Sequence, residues 1–121
     1  MLSAKVIATM VAVFCQLESG DNPNVPDSGD AVGVGHVKTV VVDEVNRLVG
    51  YNKWKYSDRR NPIKCRAIMF EYLKLKVEPW MSMQGIALMY KKGPDGMWRD
   101  HSQQDISYAE RFENLMKKEL K

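Results

Sequence analysis

The sequence predicts a mainly α domain of about five helices, with one irregular loop or small β-hairpin after the first of them. Three observations predict it. Apolar residues recur at helical spacing in five separate stretches. Capping residues and glycine or proline stops fall at the ends of those stretches. Between the first and second stretch lies DNPNVPDSGDAVGVG, with two prolines and five Asp or Asn residues, a composition that belongs to turns.

Taken in order, the first helix runs from about Ser3, a plausible N-cap, to about Ser19, with Gly20 just past its end. Its apolar centre, Val6 to Leu17, follows a single Lys5 and so has the outline of a secretory signal. No small-x-small cleavage site precedes LESGD, and the run stops at Gln16 and Glu18, short of the ~20 apolar residues of a membrane span. A buried helix is the expectation, without a clear signal peptide. The second helix spans Thr39 to Val49 with Val41, Val45, Leu48 and Val49 on one face and Gly50 as its stop, although the valine run 40–42 also suits a strand. Residues 51–60 form a polar, aromatic connection. Asn61-Pro62 is an N-cap followed by proline at the first helical position, which predicts a helix over 62–76 burying Cys65, Ile68, Met69, Tyr72 and Leu73. A fourth helix runs from Ser82 to about Lys92 and is closed by Gly93-Pro94. The fifth opens on a capping-box pattern, Ser102 to Asp105, and turns Ile106, Ala109, Phe112, Leu115 and Met116 to one side.

With 121 residues the chain has room for one domain, 1–121, and for a core that needs neither metal nor disulfide. Hydrophobic residues at 45% and charged residues at 27% exclude the disordered and collagen-like classes. The two cysteines, Cys15 and Cys65, sit alone in apolar segments and read as small buried hydrophobes, and the methionines read as gap-fillers. A net charge of +3 favours weak attraction to anionic polymers and selects none. No metal or cofactor is expected, because clustered ligand residues are absent from the pattern.

Glu18 is the residue that carries chemistry. An acid at the carboxyl end of an apolar helix meets the negative end of the helix dipole and apolar walls, and both raise its pKa. Such a group is a candidate general acid; the plainer reading is an exposed Glu that ends the helix.

Glu18-Ser19-Gly20-Asp21-Asn22-Pro23-Asn24, followed by Asp30-Ala31-Val32-Gly33-Val34-Gly35-His36-Val37, resembles the active-site region of the lysozyme-like superfamily, lytic transglycosylases and related phage lysozymes above all. Tyr56-Ser57-Asp58-Arg59-Arg60-Asn61-Pro62 with Tyr72-Leu73, and Ile86-Ala87-Leu88-Met89-Tyr90-Lys91-Lys92-Gly93-Pro94, are similar to later segments of that family in the same order. The resemblance covers roughly residues 5 to 98 and departs at His36, where the family has Gln, and at Lys91, where it has Asn. It implies a lysozyme-like α+β fold and cleavage of the β-1,4 link between N-acetylmuramic acid and N-acetylglucosamine in peptidoglycan. It further implies Glu18 as acid, and Ser19, His36 and Tyr90 as substrate-binding residues.

Glycosidases generally need a second carboxyl. Asp21, Asp27 and Asp30 are the candidates, and Asp30 is chosen because it adjoins the Gly-rich segment; a turn-forming, capping Asp is its plainer reading. Lytic transglycosylases resemble lysozymes but dispense with that group, using the substrate's N-acetyl arm, and this route is preferred if no Asp lies across from Glu18. Tyr90 also reads as a core aromatic, and His101 as solvated. Trp54, Trp80 and Trp98 fall in connections as sugar-stacking faces or loop anchors.

The rival class is a small helical binding module for cell wall, nucleic acid or a phage structural partner. Lys53, Lys55, Arg59, Arg60, Lys64 and Arg66, interleaved with Trp54 and Tyr56, suggest it. Nucleic acid is disfavoured by the mild overall charge. The expected partner is a peptidoglycan glycan strand, met by a monomer of phage or prophage origin.

Overall fold

The computed structural model describes residues 2–121. It contains five α-helices, α1 (Ala4–Ser19), α2 (Thr39–Val49), α3 (Pro62–Lys76), α4 (Met83–Lys92) and α5 (Gln103–Glu119). The boundaries follow local chemistry. The Ser3 hydroxyl accepts the Val6 N–H at 3.2 Å, Asn61 accepts from Ile63 and Lys64, and Ser82 accepts from Gly85. Ser102 and Asp105 form the reciprocal box at the head of α5. Gly20 turns left-handed at φ 64° and returns its N–H to the last carbonyls of α1.

α1 packs between α3 and α5, α2 lies against α3, and α4 lies against α5. Phe14 marks the centre: its ring stacks on Tyr90 of α4 at 4.1 Å and on Phe112 of α5 at 4.2 Å. Cys15 and Cys65 are both free thiols in this core, as their apolar surroundings predict. No helix among the described residues is long and apolar enough to cross a membrane.

The loop between α1 and α2 is held by two isolated antiparallel bridges, Ser28 with Ala31 and Val32 with Val37. That is the small hairpin in its most reduced form. The connection over 51–60 is more ordered than its polarity suggests. It contains a 3-10 turn, Tyr56–Arg60, and a half-buried Trp54 whose backbone is bracketed by Asn46 and whose indole N–H donates to Glu71 at 2.7 Å. A second 3-10 turn, Gly96–Trp98, follows α4.

Two helix faces differ from expectation. In α2, Val42 is buried with Val41 and Val45, whereas Leu48 is 39% exposed. In α5 the buried stripe is Tyr108, Ala109, Phe112 and Met116, and Ile106 faces outward. Ile106 lies about 120° round the helix from Phe112, so α5 turns the phenol of Tyr108 inward instead.

Candidate active site

Glu18 occupies the last turn of α1, with only 16% of its side chain exposed. Three segments close on its carboxyl. From α5, the Tyr108 hydroxyl donates to Oε2. From the hairpin loop, His36 brings Nδ1 to 3.6 Å from Oε1, too far for a hydrogen bond but close enough to act through its field. From the end of α4, the Lys91 ammonium stands 4.7 Å from the Tyr108 ring centre. Burial raises the Glu18 pKa above its ordinary value; the Tyr108 hydrogen bond, His36, Lys91 and Lys38 oppose that rise without cancelling it. Burial likewise pushes Tyr108 well up, so the phenol keeps its proton and remains a donor.

The hairpin that carries His36 is held from within. Arg59, buried despite its charge, donates to the carbonyls of Tyr56 (2.8 Å), Asp30 (2.7 Å) and Val37 (2.9 Å). Gly33 takes φ +85°, and a Cβ built on it would lie 1.9 Å from the Arg59 carbonyl oxygen. His36 itself adopts φ 46°, bonded through its N–H to Gly33. Its Nε2 sits 3.1 Å from the Pro26 carbonyl, which can only accept, so Nε2 carries the proton and Nδ1 is the nitrogen that faces Glu18.

The other residues named from sequence have different employment. Tyr90 is in the core, 4% exposed and stacked on Phe14, with its hydroxyl donating to the Gly35 carbonyl at 2.6 Å, so it holds the hairpin from within. The Ser19 hydroxyl is taken up by backbone, 2.6 Å from the Val34 carbonyl and accepting the Asn22 N–H, so it ties the helix end to the loop. Asp30 caps α2: its Oδ2 accepts from the Thr39 N–H at 2.8 Å and the Thr39 hydroxyl at 2.9 Å, and these bonds, the backbone one first, lower its pKa. Asp21 pairs with Arg66 and Asp27 with Arg60. All three loop carboxylates thus serve cations or a helix end, and none bonds to the Glu18 cluster among the described residues. His101 is half-buried beside Lys92, 3.4 Å from its ammonium, rather than solvated.

Of the six clustered cations, Lys53, Arg59, Arg60, Lys64 and Arg66 each face a carboxylate. What reads as a phosphate-binding patch in sequence is therefore a largely compensated surface. Trp80 and Trp98 are exposed and lie 6.1 Å apart, ring to ring. A groove of about 1150 Å³ between α1, α3 and α5 is lined by Ala12, Ile63, Phe70 and Leu115 among others; Glu18 does not line it.

Tyr108 and Arg59 are the residues that sequence reading overlooked. The phase of α5 hid the first, because Ile106 competed for the inward face. The second stood in a run of basic residues that masked its burial. No protein-family model, curated protein or solved structure matches this chain.

Proposed function

We propose that this protein cleaves the β-1,4 link between N-acetylmuramic acid and N-acetylglucosamine in peptidoglycan, with Glu18 as its only acid–base group. The observation that carries the reading is a carboxyl with a burial-raised pKa, bonded to a phenol and flanked by His36 and two lysines, at the edge of a loop. In its protonated form Glu18 gives its proton to the glycosidic oxygen as the bond to the sugar breaks. The carboxylate left behind is stabilised by the Tyr108 donor and the nearby ammonium groups, and then serves as base. With Asp30, Asp27 and Asp21 engaged elsewhere, the positive charge growing on the sugar is met by the substrate's own N-acetyl oxygen, which bonds to C1; the Glu18 carboxylate then takes the proton of the same sugar's 6-hydroxyl as that oxygen attacks C1, displaces the N-acetyl oxygen and closes the anhydro sugar.

The geometry favours this single-carboxyl route over the two-carboxyl one. A glycan strand is the partner, in a phage or prophage setting.

Purified protein incubated with sacculi, followed by mass spectrometry of the products, tests the proposal. Anhydro ends are expected, and Glu18→Gln should lower the rate by about 10²–10⁴ with an unchanged circular-dichroism spectrum. Reducing ends would instead mean that water, and not the sugar's own hydroxyl, takes the last step at C1. Sacculi left intact by the wild-type protein would favour the non-catalytic binding reading, and undiminished cleavage by the variant would remove Glu18 from the mechanism.

A further inference from the structure

Trp80 and Trp98 are 64% and 74% exposed, and their rings stand 6.1 Å apart, tilted by 31°. The other ring contacts, Phe14 with Tyr90 and with Phe112, lie in the core, so this is the one aromatic pair on the surface of the described residues. Local backbone holds both indoles out. Trp80 tops a turn closed by the Met81 N–H on the Glu78 carbonyl at 3.0 Å, and the buried Val77 and partly buried Met81 anchor its two sides. Trp98 ends the 3-10 turn that folds back along α4 after Gly93, at φ +97°, and its N–H donates to the Asp95 carbonyl at 3.1 Å. Gly96 permits that approach, because a Cβ there would lie 2.3 Å from the Leu88 carbonyl oxygen. Trp54 gives its indole N–H to Glu71, whereas those of Trp80 and Trp98 have no acceptor among the described residues. Two firmly held apolar faces with free donors at their edges are thus offered to solvent.

The charge beside them is low. Within two residues of either ring stand Glu78 and Asp100 against Arg99, all exposed, which gives phosphate no concentrated positive partner. A neutral, flat ligand with an apolar face and a rim of acceptors fits instead, and a pyranose ring has that form. The platform is separate from the Glu18 cluster: Met97 covers Gly85, and Lys91, over the Tyr108 ring, lies about 9 Å further along α4. We propose that Trp80 and Trp98 form a second glycan-binding site, where the apolar faces of N-acetylhexosamine rings stack and the indole N–H groups donate to hydroxyl or acetyl oxygens. The choice of an N-acetylated glycan rests on the cleavage reading above; the stacking itself does not need Glu18.

In the test, tryptophan emission is followed as a β-1,4-linked N-acetylglucosamine tetramer is added to Glu18→Gln protein, and retention on sacculi is measured by co-sedimentation. A saturable emission change is expected, with nearly the same affinity at about 0.05 and about 0.5 M salt, since no charge is neutralised. Trp80→Ala and Trp98→Ala should each weaken binding about fivefold, Trp80→Tyr and Trp98→Tyr should keep most of it, and in the double alanine variant the remaining Trp54 should not respond. Both side chains are exposed, so these variants should retain the wild-type circular-dichroism spectrum. Emission that ignores the tetramer, or sacculus retention undiminished in the double variant, overturns the inference. A response confined to a thymidine oligonucleotide or to phosphatidylcholine vesicles assigns the platform to those ligands and overturns it as well. Sacculi that the wild type holds through these tryptophans but does not cut count against the cleavage reading alone.

Discussion

The Glu18 carboxyl has two oxygens in different company, a phenol at one and an imidazole near the other, and this asymmetry sets what substitution should do. The Tyr108 hydrogen bond lowers the Glu18 pKa, so Tyr108→Phe raises it further. In a pH–rate profile the basic limb, where the acid loses its proton, should therefore move to higher pH, with the maximal rate reduced by about tenfold through the lost donor. A limb that moves down would show that the phenol does not bond the carboxylate. Folding stability carries the same sign. Because the folded pKa lies above the ordinary 4.5, the stability Glu18 contributes is complete below about pH 4.5 and is lost as pH rises through the folded value. Glu18→Gln should thus gain on the wild type in urea unfolding midpoint as pH rises from 4 to 8. Cys15 offers a separate check on burial: its thiol is pushed up to about 12 by desolvation, so a disulfide reagent should react with it only on the timescale of unfolding.

Between residue and domain, the hairpin over 28–37 and the head of α2 form one unit, pinned by Arg59, Asp30 and Gly33. Replacing Arg59 with Met removes three hydrogen bonds to backbone carbonyls and should cost about 3 kcal/mol in denaturant unfolding. Gly33→Ala combines a backbone clash at 1.9 Å with positive φ and should cost at least as much. Asp30 discriminates between roles. As a cap its replacement by Ala should cost about 1 kcal/mol and leave cleavage within a few-fold of wild type; loss of cleavage with stability kept would make it the second carboxyl after all. Helix ends were legible in the sequence because their causes are local: Ser3, Asn61-Pro62, Ser82 and Ser102 each act within three residues of themselves. The inward face of α5 was not, since Ile106 and Tyr108 both suit a helix and only the bond to Glu18, ninety positions earlier in the chain, selects the tyrosine.

Across the whole molecule, charge is organised in pairs that respond to acid. Glu44 receives Arg47 and Lys76 and Asp105 receives the Ser102 N–H and Lys92, and these partners hold both carboxyls down to about 2. Their stabilisation is present above the ordinary carboxylate range, about pH 4, and is lost as pH falls toward 2. Thermal midpoints should accordingly fall across that interval, less so in Glu44→Gln. The apolar centre sets the larger scale: Phe14→Ala empties the stack between Tyr90 and Phe112 and should cost about 3–5 kcal/mol.

Composition, caps and period determined by themselves that this chain makes five helices with a glycine-rich loop after the first, and they placed an acid at the one helix end where burial would trouble it. Tertiary structure alone decided which groups keep that acid company. It sent Tyr90, Ser19 and Asp30 to hold backbone and brought Tyr108 and Lys91 to Glu18. The reason is range. A cap or a turn spends its interaction energy on neighbours in sequence, whereas a buried carboxyl is tuned by whatever distant segments packing delivers within a few ångströms of it.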